Sequence, residues 1–503
     1  MNTNTNIKQG YKQTSLDILP QEWEVVRLGD ICEFLKGKGI SKDDLADNGI
    51  PCIRYGELYT IYDEIIQKVV SRTNLDSGEL IFSKANDIVL PTSGETAIDI
   101  CKASCVMIDN VALGGDLNVL RSKQNGAFLS YYINHKAKYD IAKLAQGVSI
   151  VHLYASELKS LQIPLPPIKE QEKIAQILGV WDKGISVLKS LIEAKTKHKK
   201  ALMQRLLTPP KTSHTDFSSR HSDKVCHTEP FSCHTERSEV SKNKGVDFVD
   251  TLAFSKRQYD EVLDSCNSAP LCHTEGVARS IQKDDLQGNA ICLDSSVASL
   301  PQNDRGKLHN VKNKPNESSL RFAEFTDKWQ EMRLGDICEI TTGSLNANAM
   351  VESGKFAFFT CAREVYAIDN YAFDTEALLV SGNGANVGYI HYYKGKFNAY
   401  QRTYVLDKFS CDILFVKFFL DKYLKKRIAQ EKNEGNTPYI VLSTLQDMKI
   451  VLPNSLAEQK KIAQVLSACD KEIELLKSKF QCLKTQKRGL MQRLLNGEVR
   501  VKC

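Results

Sequence analysis

Glu170-Gln171-Glu172-Lys173-Ile174-Ala175-Gln176 opens a segment that runs to Leu202-Met203-Gln204-Arg205-Leu206-Leu207. The chain writes it again as Glu458-Gln459-Lys460-Lys461-Ile462-Ala463-Gln464 through Leu490-Met491-Gln492-Arg493-Leu494-Leu495. The two stretches align without a gap at an offset of 288, with 20 of 38 positions identical. A repeat of this length says that the fold is built from two copies of one unit. In each copy apolar positions step by four and three: Ile174, Leu178, Trp181, Ile185 and Leu188 in the first, Ile462, Leu466, Ile473, Leu476 and Phe480 in the second. That spacing is the seam of a long helix. Pro166-Pro167 and Pro453 mark the entries, Thr208-Pro209-Pro210 and Asn496-Gly497 the exits, since proline is tolerated at a helix start and glycine suits its end. At about 1.5 Å per residue such a helix is roughly 57 Å long, more than a domain of this size covers. Two copies therefore predict an intramolecular helix pair, parallel or antiparallel. The plainer alternative is a helix that packs only on its own domain.

Upstream, Trp23-Glu-Val-Val-Arg27-Leu-Gly-Asp30-Ile-Cys-Glu33 reappears as Trp329-Gln-Glu-Met-Arg333-Leu-Gly-Asp336-Ile-Cys-Glu339, at an offset of 306. The order is domain, helix, domain, helix. Between these anchors the copies diverge, and late matches survive at Gln146-Gly147 with Glu434-Gly435, and at Ile163-Pro-Leu-Pro166 with Ile450-Val-Leu-Pro453. Asp87-Ile-Val-Leu90, Leu378-Leu-Val380 and Thr403-Tyr-Val-Leu406 read as strands, and Phe128–Ile133 and Leu414–Leu420 as short helices. The globular parts are thus expected to be mixed, α+β.

Thr208 to Leu320 is different: 113 residues rich in Ser, Asn, Asp, Lys and Thr without sustained periodicity. It reads as a flexible linker or insertion. It carries Cys226-His-Thr-Glu229, Cys233-His-Thr-Glu236 and Cys272-His-Thr-Glu275. Zinc sites need ligands spaced to converge; adjacent Cys and His in a tract with little to fold around them predict no metal.

The 503 residues are 42% apolar and 25% charged, with a net charge of +6, an ordinary globular balance that permits a polyanionic partner. No stretch approaches the roughly 20 apolar residues of a membrane span. Met1 to Ser15 has no apolar signal core, and the 15 cysteines are scattered, so reduced thiols in a cytoplasm are expected. There is no Gly-x-x-x-x-Gly-Lys-Ser/Thr, no Asn-Pro-Pro-aromatic tetrapeptide and no His-Glu-x-x-His, and Gly382-Asn-Gly384-Ala-Asn-Val-Gly388 has a turn's spacing rather than a dinucleotide loop's. No catalytic residue is expected. Two loops mix an arginine with tyrosines and other polar residues: Cys52-Ile-Arg54-Tyr55-Gly56-Glu57-Leu-Tyr59-Thr60 and, with the amide Gln401, Ala399-Tyr400-Gln401-Arg402-Thr403-Tyr404. Arg and Gln can read base edges, Tyr and Thr can reach phosphates; alone, such residues are equally at home on a solvated face.

The whole arrangement resembles the specificity subunits of type I restriction-modification enzymes. Trp23…Arg27-Leu-Gly-Asp30, Pro166…Glu170-Gln171…Ile174-Ala175, their second copies, the Leu-Met-Gln-Arg-Leu-Leu endings and the Tyr55–Thr60 and Tyr400–Tyr404 stretches carry the resemblance. It implies a tail (1–20), target-recognition domains at 21–166 and 321–453, long constant helices at 167–208 and 454–497 pairing as an antiparallel coiled coil, and a linker at 209–320. It implies that each domain reads half of a split double-stranded DNA target; by residue type and position in the diverged part of each repeat, Arg54, Tyr55, Glu57 and Thr96 are expected to face DNA in the first and Arg363, Asn383, Tyr400, Gln401 and Arg402 in the second. The partners implied are two modification (methyltransferase) subunits and restriction (translocase/nuclease) subunits, with no membrane. S-adenosylmethionine, ATP and Mg would be used by those subunits, and this chain would bind no cofactor. The 113-residue linker departs from the family's usual short junction. A stand-alone coiled-coil DNA-binding regulator is the alternative, disfavoured because such a protein needs one domain copy per chain.

Overall fold

The structure, a computed structural model, describes residues 7, 9–147, 150–210, 308–310, 319–431 and 439–501. Nearly all of the expected linker, and all three Cys-His-Thr-Glu tetrapeptides, lie outside the described residues. Two compact units are present. The division between them falls inside the long helices, so each unit holds one domain, the first part of its own helix and the last part of the other.

In the first unit, β1 (Glu24–Arg27), α1 (Leu28–Ile31), β2 (Cys32–Lys36), β3 (Leu45–Ile53) and α2 (Tyr55–Thr60) are followed by β4 (Ile65–Ile66), β5 (Ser71–Thr73), β6 (Ile81–Phe82), β7 (Asp87–Pro91), β8 (Ser93–Gly94), β9 (Ser104–Val106), β10 (Ala112–Leu113) and β11 (Leu117–Ser122). Then come α3 (Gly126–Tyr132), α4 (Lys138–Leu144), β12 (Val151–His152), α5 (Ala155–Ser160), β13 (Gln162–Leu165) and the long α6 (Ile168–Leu206). One sheet runs β2-β11-β7-β9-β4 and a second β5-β3-β10-β6. The apolar run at Asp87–Pro91 is buried along its whole length, as expected of a central strand. The Arg-Leu-Gly-Asp motif has a local job: β1 pairs antiparallel with β13, Leu28 N donates to Leu161 O at 2.9 Å, and a Cβ at Gly29 would lie 3.0 Å from Lys159 O. Glycine there lets α1 sit against α5.

In the second unit, β14 (Trp329–Arg333), α7 (Leu334–Ile337), β15 (Glu339–Thr342), β16 (Phe356–Phe359), β17 (Tyr366–Ile368), β18 (Phe373–Ser381), β19 (Ile390–Ala399) and β20 (Thr403–Asp407) lead to α8 (Ile413–Gln430), α9 (Leu442–Gln446), β21 (Lys449–Pro453) and the long α10 (Leu456–Leu495). A single sheet runs β15-β20-β18-β19-β16-β17. The anchor geometry repeats: β14 pairs with β21, and Leu334 N donates to Met448 O at 2.9 Å.

The Glu-Gln pair that opens each long helix is buried in both copies. Gln171 bonds Pro166 O at 2.8 Å and accepts from Asn125 N at 3.0 Å, and Asn125 caps α3 through Phe128 N at 2.8 Å. Gln459 bonds Pro453 O at 2.8 Å and accepts from Asp412 N at 2.8 Å, and Asp412 caps α8 through Phe415 N at 2.8 Å. A buried amide that satisfies two backbone groups fixes where each helix leaves its domain.

The seam residues divide by depth. Ile174 and Leu178 are buried in the first domain's core with Trp23, Phe128 and Tyr131, and Leu494 and Leu495 at the end of α10 pack into the same cluster. Ile462 and Leu466 sit likewise with Phe415 and Phe418, together with Leu206 and Leu207 from the end of α6. Leu188, Ile473 and Leu476 are buried, while Trp181, Ile185 and Phe480 are only half-buried. The start of each helix thus packs on its own domain, as the plainer alternative had it, and also meets the end of the other helix. In the first unit Lys487, 8% exposed, pairs with Asp182, which accepts from Tyr131 Oη at 2.5 Å. In the second, Lys199 pairs with Asp470 at 2.5 Å beside the Phe418 ring, and Lys195 with Glu472 at 2.6 Å.

Candidate nucleic-acid interface

In the second domain the segments that follow β16, β18 and β19 are tied together by their backbones. Tyr400 N donates to Phe359 O at 2.9 Å, Gly382 N to Arg402 O at 2.8 Å, Gln401 N to Leu345 O at 2.9 Å and Ile440 N to Gly382 O at 2.9 Å. On this frame Arg363 Nε bonds Asn386 Oδ1 at 3.3 Å, and its guanidinium lies 5.5 Å from the Tyr389 ring. Gln401 Nε2 bonds Asn346 Oδ1 at 3.2 Å, Arg402 is exposed, Tyr400 is half-buried, and Asn383 bridges to Tyr439. The five residues expected to face DNA in this domain therefore converge on one loop cluster. Two exposed guanidiniums among amides and tyrosines can bind phosphate and read base edges.

The first domain builds the same frame. Gly114 N donates to Ile53 O at 2.9 Å, Thr92 N to Asp116 O at 2.9 Å and Leu153 N to Thr92 O at 2.9 Å. The parallel pairs Ile53↔Leu113 and Phe359↔Ala399 share this register. Arg54 caps α2 directly after β3, and Tyr55 and Tyr59 are exposed with rings 6.4 Å apart, edge to face. Tyr59 Oη donates to Ser93 O at 3.3 Å, and burial raises this hydroxyl's pKa. Thr96 is exposed and donates to Asp99 Oδ2 at 2.5 Å.

One expectation needs correcting. Glu57 does not face solvent: it is 3% exposed, and its carboxylate accepts from Arg54 N at 3.1 Å and from Ser71 Oγ at 2.5 Å. Its place in a Cys52–Thr60 run of mixed polarity hid that it closes the α2 turn. The Arg54 and Tyr400–Arg402 stretches, similar in residue type, occupy topologically different places. Arg54 follows β3, whose counterpart β16 leads to Thr360, whereas Tyr400–Arg402 links β19 to β20. The counterpart of Tyr400–Arg402 in the first domain is Gly114-Gly115-Asp116, which sequence reading missed because only strand register reveals it.

Among the described residues no cluster of metal-ligating side chains is present, and the nine described cysteines are free. Burial pushes Cys105 and Cys338 up to about 12, thiols that are inert at neutral pH.

The family model of the type I restriction modification DNA specificity domain matches residues 20–195 and 326–485. The specificity subunit of the type I restriction enzyme MjaVIII of Methanocaldococcus jannaschii is 25% identical over 508 residues, covering 99% of this chain and 98% of that protein. The EcoDI specificity subunit of Escherichia coli is 38% identical over 176 residues, 34% of this chain and 38% of that protein's length. In fold, the crystal structure of the S subunit of a type I restriction-modification system from M. genitalium is similar, with a TM-score of 0.53 at 16% identity over 98% of both chains. With more than half of its length matched in two separate regions, this chain belongs to the type I restriction modification DNA specificity family.

Proposed function

We propose that this chain is the non-catalytic DNA sequence-recognition subunit of a type I restriction-modification complex. Each domain reads one half of a bipartite double-stranded target through the loops that this backbone frame ties together. The helices α6 and α10 pair antiparallel, separate the two domains and dock two modification subunits, and restriction subunits complete the assembly. S-adenosylmethionine, ATP and Mg serve those partners, and the complex works in the cytoplasm.

The observation that carries this reading is an equal backbone frame with unequal side chains. The hydrogen bonds that tie Gly382, Arg402 and Ile440 recur at Thr92, Asp116 and Leu153, while the side chains they carry differ. A device that reads different bases with one scaffold needs that combination. Antiparallel pairing is supported by two ion pairs that exchange under the repeat: the offset of 288 takes Asp182 to Asp470 and Lys199 to Lys487. No helix among the described residues is long and apolar enough to cross a membrane.

Affinity purification of the tagged full chain from its source cell tests the reading. A methyltransferase should co-purify, and the complex should bind duplex DNA with an affinity that falls steeply with salt. A chain that purifies alone, dimerises and binds DNA without a methyltransferase would instead be the regulator.

A further inference from the structure

We infer that the Gly114-Gly115-Asp116 connection is a base-reading loop of the first domain, and that Asp116 reads an exocyclic amino group from the position Arg402 holds in the second. The inference rests on the proposed function and adds a residue to it. The equivalence is set by hydrogen bonding rather than by sequence: Asp116 O accepts from Thr92 N at 2.9 Å as Arg402 O accepts from Gly382 N at 2.8 Å, and Gly114 and Tyr400 donate to the residue that ends each parallel strand. Both Asp116 and Arg402 are exposed.

The chemistry of the two positions is opposite. Arg402 is a donor, suited to guanine O6 and N7; a carboxylate only accepts, and in the major groove its partners are the amino groups of cytosine or adenine. Phosphate repels it. Asp116 can therefore tolerate a duplex surface only where a base donates to it, or where neighbouring cations take up the phosphates. The backbones of two cationic residues, Lys38 and Arg54, border the connection, and Arg54 Nε lies 3.6 Å from Glu57. Lys38 N bonds Leu113 O at 2.9 Å, and a Cβ on Gly114 would lie 3.5 Å from the Cα of Arg54. The two glycines also matter: a Cβ on Gly114 would stand 3.2 Å from Ile53 O, and one on Gly115 3.2 Å from Gly39 N. The loop is held tightly, and Asp116 is its one side chain beyond Cβ. Among the described residues the Asp116 carboxylate forms no hydrogen bond or ion pair, so its exposed position is not explained by a local partner.

The test is single-molecule methylome sequencing of the source strain carrying Asp116→Ala or Asp116→Asn in the full chain, beside wild type and a deletion of the chain. In Asp116→Ala, one base position in a single half of the split motif should lose discrimination, with methylation of formerly rejected sites rising on the order of tenfold. Asp116→Asn, which can also donate, should change which base is favoured there. If both variants methylate the wild-type motif to the wild-type extent, the inference is overturned. If Asp116→Ala does not assemble, Asp116→Asn decides, together with binding of the purified wild-type and Asn-variant complexes to duplexes altered one base pair at a time; identical profiles would overturn it. A deletion strain whose methylome equals wild type would instead remove the proposed function itself.

Discussion

Arg500 Nε and Nη2 donate to the two oxygens of Glu170 at 2.7 and 2.9 Å, joining the segment after α10 to the first turn of α6. Glu170 also accepts from the Trp23 indole at 3.0 Å. The second unit contains the same triad with its arginine drawn from a different place in the chain: Arg321 binds both oxygens of Glu458 at 2.8 Å, and Trp329 Nε1 lies 3.3 Å from it. The Trp and Glu of each repeated motif are thus structural, and the arginine that completes the triad comes from the segment after the other copy's helix in the first unit and from the segment before the domain's own Trp in the second.

Breaking that contact leaves Glu170, 2% exposed, with one neutral donor. Arg500→Ala should lower the stability of the first unit by about 1–3 kcal/mol, measured by urea unfolding followed through tryptophan fluorescence. An unchanged midpoint would mean that the bidentate pair contributes nothing.

Leu188 and Leu476 are buried on the long helices, 0% and 3% exposed. Leu188→Asp or Leu476→Asp places an unpaired carboxylate there, at a cost of about 4 kcal/mol. Reduced complex assembly is expected, read by co-purification of the methyltransferase. Full assembly with an unaltered spacer in the methylated motif would contradict helix pairing.

Burial raises the Asp182 pKa above its ordinary 3.8, against the opposing pull of Lys487. The folded state therefore holds this proton more tightly than the unfolded chain. The stabilising contribution is complete below 3.8 and is lost as pH rises through the folded-state value. Relative to Asp182→Asn, the wild-type chain should be most stable at the acid end and lose that advantage toward neutral pH. Denaturant titrations of both proteins across this window check the sign; an advantage that grows with pH would contradict it.

The long helices were legible because their period repeats twice: Ile174 to Leu188 and Ile462 to Leu476 lie where a heptad puts them. The strands at Asp87–Leu90 and Thr403–Leu406 were legible because buried β-branched and aromatic runs have few other uses. The candidate loop cluster was legible only in part. Tyr400, Gln401 and Arg402 are adjacent in sequence and stay together, and Arg363 and Asn383 join them through folding. Glu57 misled because residue type does not report burial: its carboxylate is spent on Arg54 N and Ser71 Oγ. Asp116 was invisible because its equivalence to Arg402 lives in the pairing of Ile53 with Leu113 and of Phe359 with Ala399, a long-range register that no local pattern encodes.

Methylome sequencing of a source strain carrying Arg402→Ala tests most directly the claim that each domain reads its own half of the target. Arg402 is exposed on the loop end of the second domain, and loss of a base-reading arginine costs about 1–3 kcal/mol at its own position, whereas loss of a phosphate contact weakens all sequences alike. A split motif is expected in which one half is relaxed at one position while the other half and the spacer are unchanged. Relaxation in both halves, or an unaltered motif at full methylation with normal complex yield, would contradict it.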